Sequence, residues 1–249
     1  MDYPLLIFVA SLIAFWASAW FGGWAHSRWG DIEERHHQDF TFVLGGALTL
    51  LGLIVGFSFS MAVNRYDQRK LCEAEEANAI GTEYLRADLL PAPDAAKVRA
   101  LLKSYLSQRI LGYEWRGDEQ LRELNAETAR LQNDMWSALV APAVEKPTPV
   151  AALTVWGMND VLNSQGYTQA AWWNRIPTAA WVLVALISVF CNILIGYVAH
   201  GRSGRLFMIL PIALSISLFL IADIDSPHRG LIRIHPHNLE SLAASLKLQ

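Results

Sequence analysis

The sequence predicts an all-α membrane protein with four transmembrane helices and a helical cytoplasmic insert between the second and the third. Hydrophobic residues make up 53% of the 249 residues and charged residues only 17%, against about 25% charged residues in an ordinary soluble protein. The charges are also unevenly distributed. Four stretches contain no Asp, Glu, Lys or Arg, namely residues 4–23, 42–63, 178–199 and 206–222. We therefore expect a membrane part joined to a water-soluble part.

Each charge-free stretch is interpreted as one membrane helix. A helix needs about 20 apolar residues to cross a hydrocarbon core of about 30 Å, and only 206–222 is somewhat shorter. An even number of crossings places both termini and the long segment between helices two and three on one side. Lys and Arg near the membrane are slightly more frequent on that side, which predicts that it is cytoplasmic. The predicted order is 1–63 with membrane helices one and two, 64–177 as the cytoplasmic insert, 178–222 with helices three and four, and 223–249 as a cytoplasmic tail.

The insert is predicted to be helical because its apolar residues recur at steps of three and four and strand-like alternation is missing. No proline occurs between residue 63 and Pro91, so the second membrane helix should continue to about Leu90. Further helices are expected from Asp94 to about Leu111, from Asp118 to about Leu139 and from Val150 to about Trp173, with a turn at Pro142, Pro147 and Pro149.

Motifs for enzymatic chemistry are missing from the sequence. It contains no glycine-rich phosphate-binding loop and no His-Glu-x-x-His, and a net charge of -3 gives no nucleic-acid footprint. The charge-free stretches contain no Asp, Glu, Lys, Arg or His that could serve an intramembrane enzyme. We expect no catalytic residues, no metal, no cofactor and no nucleic-acid partner, and free thiols at Cys72 and Cys191. The histidines lack ligand spacing on a single helix; they are His26, His36, His37 and His200 on one side of the membrane and His228, His235 and His237 on the other.

The second charge-free stretch carries two adjoining stripes. At about 100° per residue, one stripe consists of small residues within about 80° of one another. Small residues allow helices to approach closely. The stripe is Gly45, Thr49, Gly52, Gly56 and Ser60. The other stripe is Thr49, Leu53 and Phe57, at steps of four. Two interpretations stay open: packing inside a four-helix bundle, and the lining of a pore.

In residues 54–70, the Gly-Phe pair Gly56-Phe57 precedes the Arg-aromatic pair Arg65-Tyr66. This segment resembles the second helix of bestrophins, which has the same two pairs. Residues 223–230, Asp-Ile-Asp-Ser-Pro-His-Arg-Gly, are similar to the acidic-Ile-acidic-x-Pro-Phe-Gly segment that follows the fourth helix of bacterial bestrophins. The positions that carry the resemblance are Asn64, Arg65, Tyr66, Asp223, Asp225, Pro227 and Gly230.

The resemblance implies a pentameric ion channel whose second helices line the pore. The neck of that pore would correspond to Thr49, Leu53 and Phe57. It implies a homo-oligomer in the lipid bilayer of a bacterial inner membrane that passes small inorganic ions, with monovalent cations favoured over anions. Thr49 stands where the family usually has an aliphatic residue, so a wetter outer neck is expected. His228-Arg229 replaces the family's Phe and no run of acids follows Gly230, so the calcium clasp of animal bestrophins is not expected. The competing hypothesis is a membrane-anchored helical scaffold or sensor that does not conduct.

Acidic residues give three further expectations. Asp223 and Asp225 stand at the C-terminal end of a helix, where the dipole disfavours negative charge by about 0.3–1 kcal/mol. We expect backbone amides or a basic group, Arg229 or Arg65 of a neighbouring subunit, to hold them. Glu73, Glu75 and Glu76 are expected to be a solvated face. The extension of the second helix has an excess of acids that favours cations, with Asp67, Glu73, Glu75, Glu76, Glu83 and Asp88 against Arg65, Arg69, Lys70 and Arg86.

Overall fold

The described residues of the computed structural model are 3–29, 34–114, 118–198, 209–227 and 229–247. Within these ranges the chain is helical and contains no strand, which confirms the all-α prediction. A short 3-10 turn, Ala87–Leu89, follows the second helix. The helices are α1 Pro4–Trp29, α2 Glu34–Arg86, α3 Ala92–Glu114, α4 Asp118–Glu145, α5 Pro149–Trp173, α6 Thr178–Val198, α7 Ile209–Asp225 and α8 His237–Lys247.

Three stretches within the described ranges are long and apolar enough to cross a membrane: Pro4–Trp29, Asp39–Leu89 and Pro149–Val198. The last of them comprises α5 and α6, and the charge-free run lies in α6. α7 is described over 17 residues, and the predicted start of the fourth membrane helix, at 206, lies outside the described residues. Four crossings therefore stay a proposal.

The chain divides into two compact units. The first contains Met1–Arg65 and Arg175–Ile232, and the second contains Tyr66–Asn174 and Arg233–Gln249. The expected borders of the insert, at 63/64 and 177/178, fall within three residues of these divisions. The expected cytoplasmic tail, 223–249, is itself divided at residue 232.

In the first unit, α1 packs against both α6 and α7. Glycines permit the backbones of α1 and α6 to meet. A Cβ added at Gly22 would overlap the carbonyl oxygen of Ile193, and one added at Gly196 would overlap that of Ala19. The core of this unit is formed by Phe15, Leu51, Val184, Cys191, Leu214 and Leu218.

In the second unit, a larger core joins the helices of the insert to α8. Apolar residues three or four apart bury one face of each helix, as expected for amphipathic packing. Thr148 begins α5 because its hydroxyl accepts a hydrogen bond from the amide of Ala151 (3.1 Å), with Pro149 in the first turn. Fully buried members of this core are Ile80, Val98, Leu102, Tyr105, Met135, Met158, Val161 and Leu239. Cys72 and Cys191 are both buried free thiols, as predicted.

Several predicted helix ends were wrong, and prolines explain two of them. α3 begins at Ala92, and Asp94 lies in its first turn instead of before it. The carbonyl of Pro91 accepts a hydrogen bond from the amide of Ala95 (2.9 Å). Pro93 fits the first turn of α3 because the amides of a first turn have no partner within the helix. α4 continues through Pro142 to Glu145, since a missing amide so near the end of a helix removes only one hydrogen bond.

Other differences lie at the ends of the charge-free stretches. α2 begins at Glu34, before the apolar run, and α1 extends to Trp29. α7 extends to Asp225, so the two acids are its last residues and do not follow it. The helix α8 was not predicted. Its buried Leu239 and Leu246, seven residues apart, fit one helical face and were a usable signal.

Candidate functional site

The part of α2 in the first unit has a core face. Leu51 is 2% exposed, Ser58 7% and Ala62 0%. Leu48 and Val55, which are partly buried, pack against the core of the unit. This side of the helix is therefore covered by the protein's own residues.

The opposite side of the same helix is uncovered. At about 100° per residue, Leu53 lies about 160° around the helix from Leu51. Leu53 is 53% exposed and Phe57 61%. A Cβ added at Gly45, Gly52 or Gly56 would meet no atom within 4 Å. We call seven of the exposed residues on this side the open face; they are Gly45, Thr49, Gly52, Leu53, Gly56, Phe57 and Ser60.

The open face brings together all residues predicted as the small-residue stripe and as the neck. At its three glycines, no atom of the described residues lies within 4 Å of an added Cβ. Helix packing and pore lining both stay predictions. Thr49 donates its hydroxyl hydrogen to the carbonyl of Gly45 on its own helix (2.9 Å), so its oxygen keeps lone pairs to offer to water.

α2 is the least covered of the apolar stretches. Inside the chain, 6% of its most apolar window is buried, against 22% for Pro4–Trp29 and 28% for Pro149–Val198. A helix of this composition in a complete fold would bury at least one broad face. The chain alone therefore leaves this segment of α2 unusually exposed.

The family-motif residues at the end of α7 form a second feature of the first unit. The carboxylate of Asp223, 1% exposed, accepts hydrogen bonds from the amides of Leu231 (2.6 Å) and Ile232 (2.8 Å). The chain reaches this position by folding back so closely that a Cβ at Gly230 would lie 2.5 Å from the carbonyl oxygen of Asp223. Glycine at 230 therefore makes the close return possible.

Asp225 is buried too, with 4% of its surface exposed. Its carboxylate accepts from the amide of Ile176, at 3.2 and 3.3 Å to the two oxygens. Of the expected partners for the two acids, backbone amides are thus present, and neither acid is a solvated group. Arg229 lies over the ring of Tyr3 (4.8 Å to the centroid). Pro227 is half-buried, and His228 lies outside the described residues.

The remaining motif residues lie further along α2, where Asn64 is exposed and Arg65 and Tyr66 are half-buried. Beyond them the expectation of a solvated acidic face was wrong for two of three residues. Glu75 is exposed, but Glu73 is 2% exposed and Glu76 0%. Each of the buried acids is bound by donors from another helix.

Glu73 caps the N-terminus of α8. One carboxylate oxygen accepts from the amides of Asn238 (2.9 Å) and Leu239 (3.0 Å), and the other from the side-chain amide of Asn238 (2.6 Å). First-turn amides of a helix have no partner in the helix, so an acid placed there is stabilised. Glu76 forms a buried ion pair with Arg109 of α3 and accepts from the hydroxyl of Thr168 (3.1 Å) of α5.

In the described part of the chain, no group of three or more His, Cys, Asp and Glu side chains could hold a metal ion. The side chains of His36 and His37, and the whole of His200, lie outside that part, as His228 does. His235 and His237 have their rings 5.7 Å apart.

Comparisons with known proteins agree with this fold. The profile of the bestrophin-like domain matches residues 9–239. A variant of a bacterial bestrophin homologue from Klebsiella pneumoniae is similar with a TM-score of 0.66 and 13% identity, over 98% of this chain and 97% of that one. A second crystal structure of a bestrophin homologue from the same organism, phased on zinc, gives 0.64 and 15%, over 98% and 95%. No curated protein sequence matches. The domain match covers most of the chain, and the chain belongs to the bestrophin-like family.

Proposed function

We propose that the protein is a homo-oligomeric channel for small monovalent ions in a bacterial inner membrane, with the open face of α2 lining the pore. The supporting observation is that this face, which contains three glycines, a Thr and a Ser, is exposed, and that a Cβ added at any of its glycines would meet no atom of the described residues within 4 Å. Hydroxyl groups that face lipid find no hydrogen-bond partner there, whereas those that face water or a second subunit do. Of these two surroundings, a water-filled pore is favoured by membership of a family of ion channels.

In a symmetric assembly each residue of the open face becomes a ring. Leu53 and Phe57 would form two apolar rings one helical turn apart, and a narrow apolar constriction can close a pore by losing its water. Thr49 would form a hydroxyl ring next to them. The backbone N–H and C=O groups keep their hydrogen bonds because α2 remains a regular helix. A pentamer is proposed from the family alone.

The second unit supports an oligomer independently. Its helices α4 and α5 expose large apolar side chains near the turn that joins them. Such surfaces on a water-soluble part are typical of protein interfaces. They include Trp136 (39% exposed), Val144 (74%), Leu153 (51%) and Trp156 (65%).

We further propose four membrane crossings, with α7 as the fourth, and a cytoplasmic location for the second unit and both termini. Charge gives less support for cations than the sequence suggested. Of the acids counted there, Glu73, Glu76 and Glu83 are buried. Asp67, Glu75 and Asp88 stay exposed, while Lys70 is exposed and Arg65 and Arg86 are half-buried. The excess of accessible acids is gone, so cation preference now depends on family likeness.

Replacing both Leu53 and Phe57 by Ala tests the proposal. The shorter side chains widen the neck and keep it wet, so single-channel current in planar bilayers should rise several-fold. Leu186→Ala on α6 is the matched control, because this leucine is also exposed (64%) but lies outside the open face. Its current should equal that of the wild type.

The same recordings decide between the hypotheses. A reversal potential that follows the potassium equilibrium across a KCl gradient supports cation preference, and one that follows chloride contradicts it. An unchanged current in the folded double variant would mean that the neck lies elsewhere. Folded oligomers that pass no ions in liposomes would favour the scaffold or sensor.

A further inference from the structure

Glu83 is a buried acid for which the fold supplies no donor. It lies on α2 within the second unit, with 0% of its surface exposed. Within the part of the chain that the structure describes, neither of its carboxylate oxygens has a hydrogen-bond partner. Glu73 and Glu76 on the same helix are equally buried, but each is held by amide, hydroxyl or guanidinium donors.

The carboxyl group of Glu83 is packed directly on the backbone of α5. A Cβ added at Gly157 would overlap Oε2 of Glu83 and a guanidinium nitrogen of Arg86, and would lie 3.1 Å from Cδ of Arg86. The missing side chain of Gly157 thus makes the space that the acid occupies. The carboxyl group is therefore part of the contact between α2 and α5 at this point.

Charged groups near Glu83 come from each neighbouring element. Arg86 lies on its own helix and makes no hydrogen bond to it. Asp160 lies on α5, and on the 3-10 turn Asp88 is paired with Arg99 of α3. Burial raises the pKa of Glu83 to about 8, with Arg86 opposing the rise and Asp160 adding to it. A buried carboxylate without donors is strongly disfavoured, whereas the neutral acid is tolerated.

We propose that Glu83 is held as a neutral carboxylic acid against Gly157, and that its proton keeps this part of α2 and α5 together. When the proton leaves to bulk water, the anion follows it toward solvent and the α2–α5 contact opens. The device requires no ion conduction, so it stands or falls separately from the proposed function.

The pH window follows from linkage. In the closed form Glu83 keeps its proton up to about pH 8, and once opened to water it regains an ordinary pKa of about 4.3. Between these values the closed form binds one proton more than the open form. The opening equilibrium constant should therefore rise by about tenfold per pH unit from about pH 5 to pH 8, and level off above that.

Infrared difference spectroscopy tests the protonation directly. Purified wild-type protein near neutral pH should show the carbonyl stretch of a protonated acid, and the band should be absent from Glu83→Gln. It should fade through about pH 8. Asp160→Asn should move the fading to lower pH and Arg86→Gln to higher pH. Glu75→Gln, an exposed acid of the same helix, is the matched control and should leave the band unchanged. If Glu83→Gln does not fold, the proposal is still tested by the pH titration of the wild-type band and by its opposite shifts in Asp160→Asn and Arg86→Gln.

Hydrogen exchange tests the opening. After correction for intrinsic rates, the protection of α5 amides around Gly157 should fall by up to tenfold per unit between about pH 6 and 8 in the wild type, and stay constant in Glu83→Gln. A band that is missing at neutral pH, or that survives in Glu83→Gln, overturns the proposal. So does an equal fall of protection in both proteins, or a titrating band without any fall.

Discussion

Two sets of glycines in the first unit have opposite surroundings. At Gly22 and Gly196 there is no room for a Cβ, because the backbone of a facing helix occupies the space. At Gly52 and Gly56 on α2 there is open space within 4 Å. A contact within the chain thus explains why a residue without a side chain is needed at Gly22 and Gly196. No such contact among the described residues explains Gly52 and Gly56.

The difference separates what a single chain can satisfy from what it cannot. The contact between α1 and α6 is complete within one copy, and any lost volume or added atom there changes folding. The open face has its helix and its side chains in place, but the described residues leave it exposed. Features of that face are expected to matter for assembly and conduction, and little for the folding of the chain.

The largest effect is expected for Gly196→Val. The added atoms would overlap the backbone of Ala19, which cannot move without shifting α1, so overpacking should cost about 3 kcal/mol or prevent folding. Thermal unfolding in detergent and recovery of monodisperse protein measure the loss. Gly166→Ala on α5 is the control, because a Cβ there meets nothing, and it should leave stability unchanged or slightly raised. A well-folded Gly196→Val protein would show that α1 and α6 are not in backbone contact.

A smaller loss is expected for Asp223→Ala, which also acts within one copy. It removes the acceptor of two amide hydrogen bonds, so the free energy of unfolding should fall by about 1–3 kcal/mol. Asp225→Ala should also lower stability, because it removes the acceptor of the Ile176 amide. Denaturant or thermal unfolding compares both with Asp67→Ala, an exposed acid on α2. Equal stability of all three variants would mean that the carboxylates do not hold the end of α7.

The smallest effect on stability is expected for the open face. Replacing Gly52 and Gly56 together by Ala should leave the chain equally stable or stabilise it by about 0.5–1 kcal/mol per site, because Ala loses less backbone entropy in a helix. Oligomer mass or ion flux should nevertheless change, since the methyl groups fill space between subunits or in the pore. Native mass spectrometry and liposome flux measure these. If mass and flux both stay at wild-type values, the open face is not an interface or a lining.

Helical periodicity was sufficient to predict which residues share the open face. Thr49, Leu53 and Phe57 follow from steps of four along a helix, and the structure places them on one side. Periodicity could not tell what that side faces, because an uncovered stripe and a packed stripe have the same spacing. That question depends on other helices and on other copies.

For the acids of α2, the sequence did not predict which side chains are buried. Glu73 and Glu76 were predicted to be solvated because acids on a soluble helix usually are. Their partners lie far along the chain: Arg109 is 33 residues from Glu76, and Asn238 is 165 residues from Glu73. Local sequence carries no mark of such pairs. Glu83 is harder still, since its burial depends on a missing side chain at Gly157 on another helix.

The cap that Glu73 places on α8 also bears on the order of synthesis. The second unit is assembled from Tyr66–Asn174 and Arg233–Gln249, and α6 and α7 are made between these segments. Until α8 emerges, the core lacks Leu239 and Leu246, and Glu73 is without its amide donors. A ribosome thus finishes α6 and α7 before this unit can close, and contacts this distant in sequence form slowly. During that interval the unfinished core presents apolar surface, which is the condition under which a nascent chain depends on chaperones.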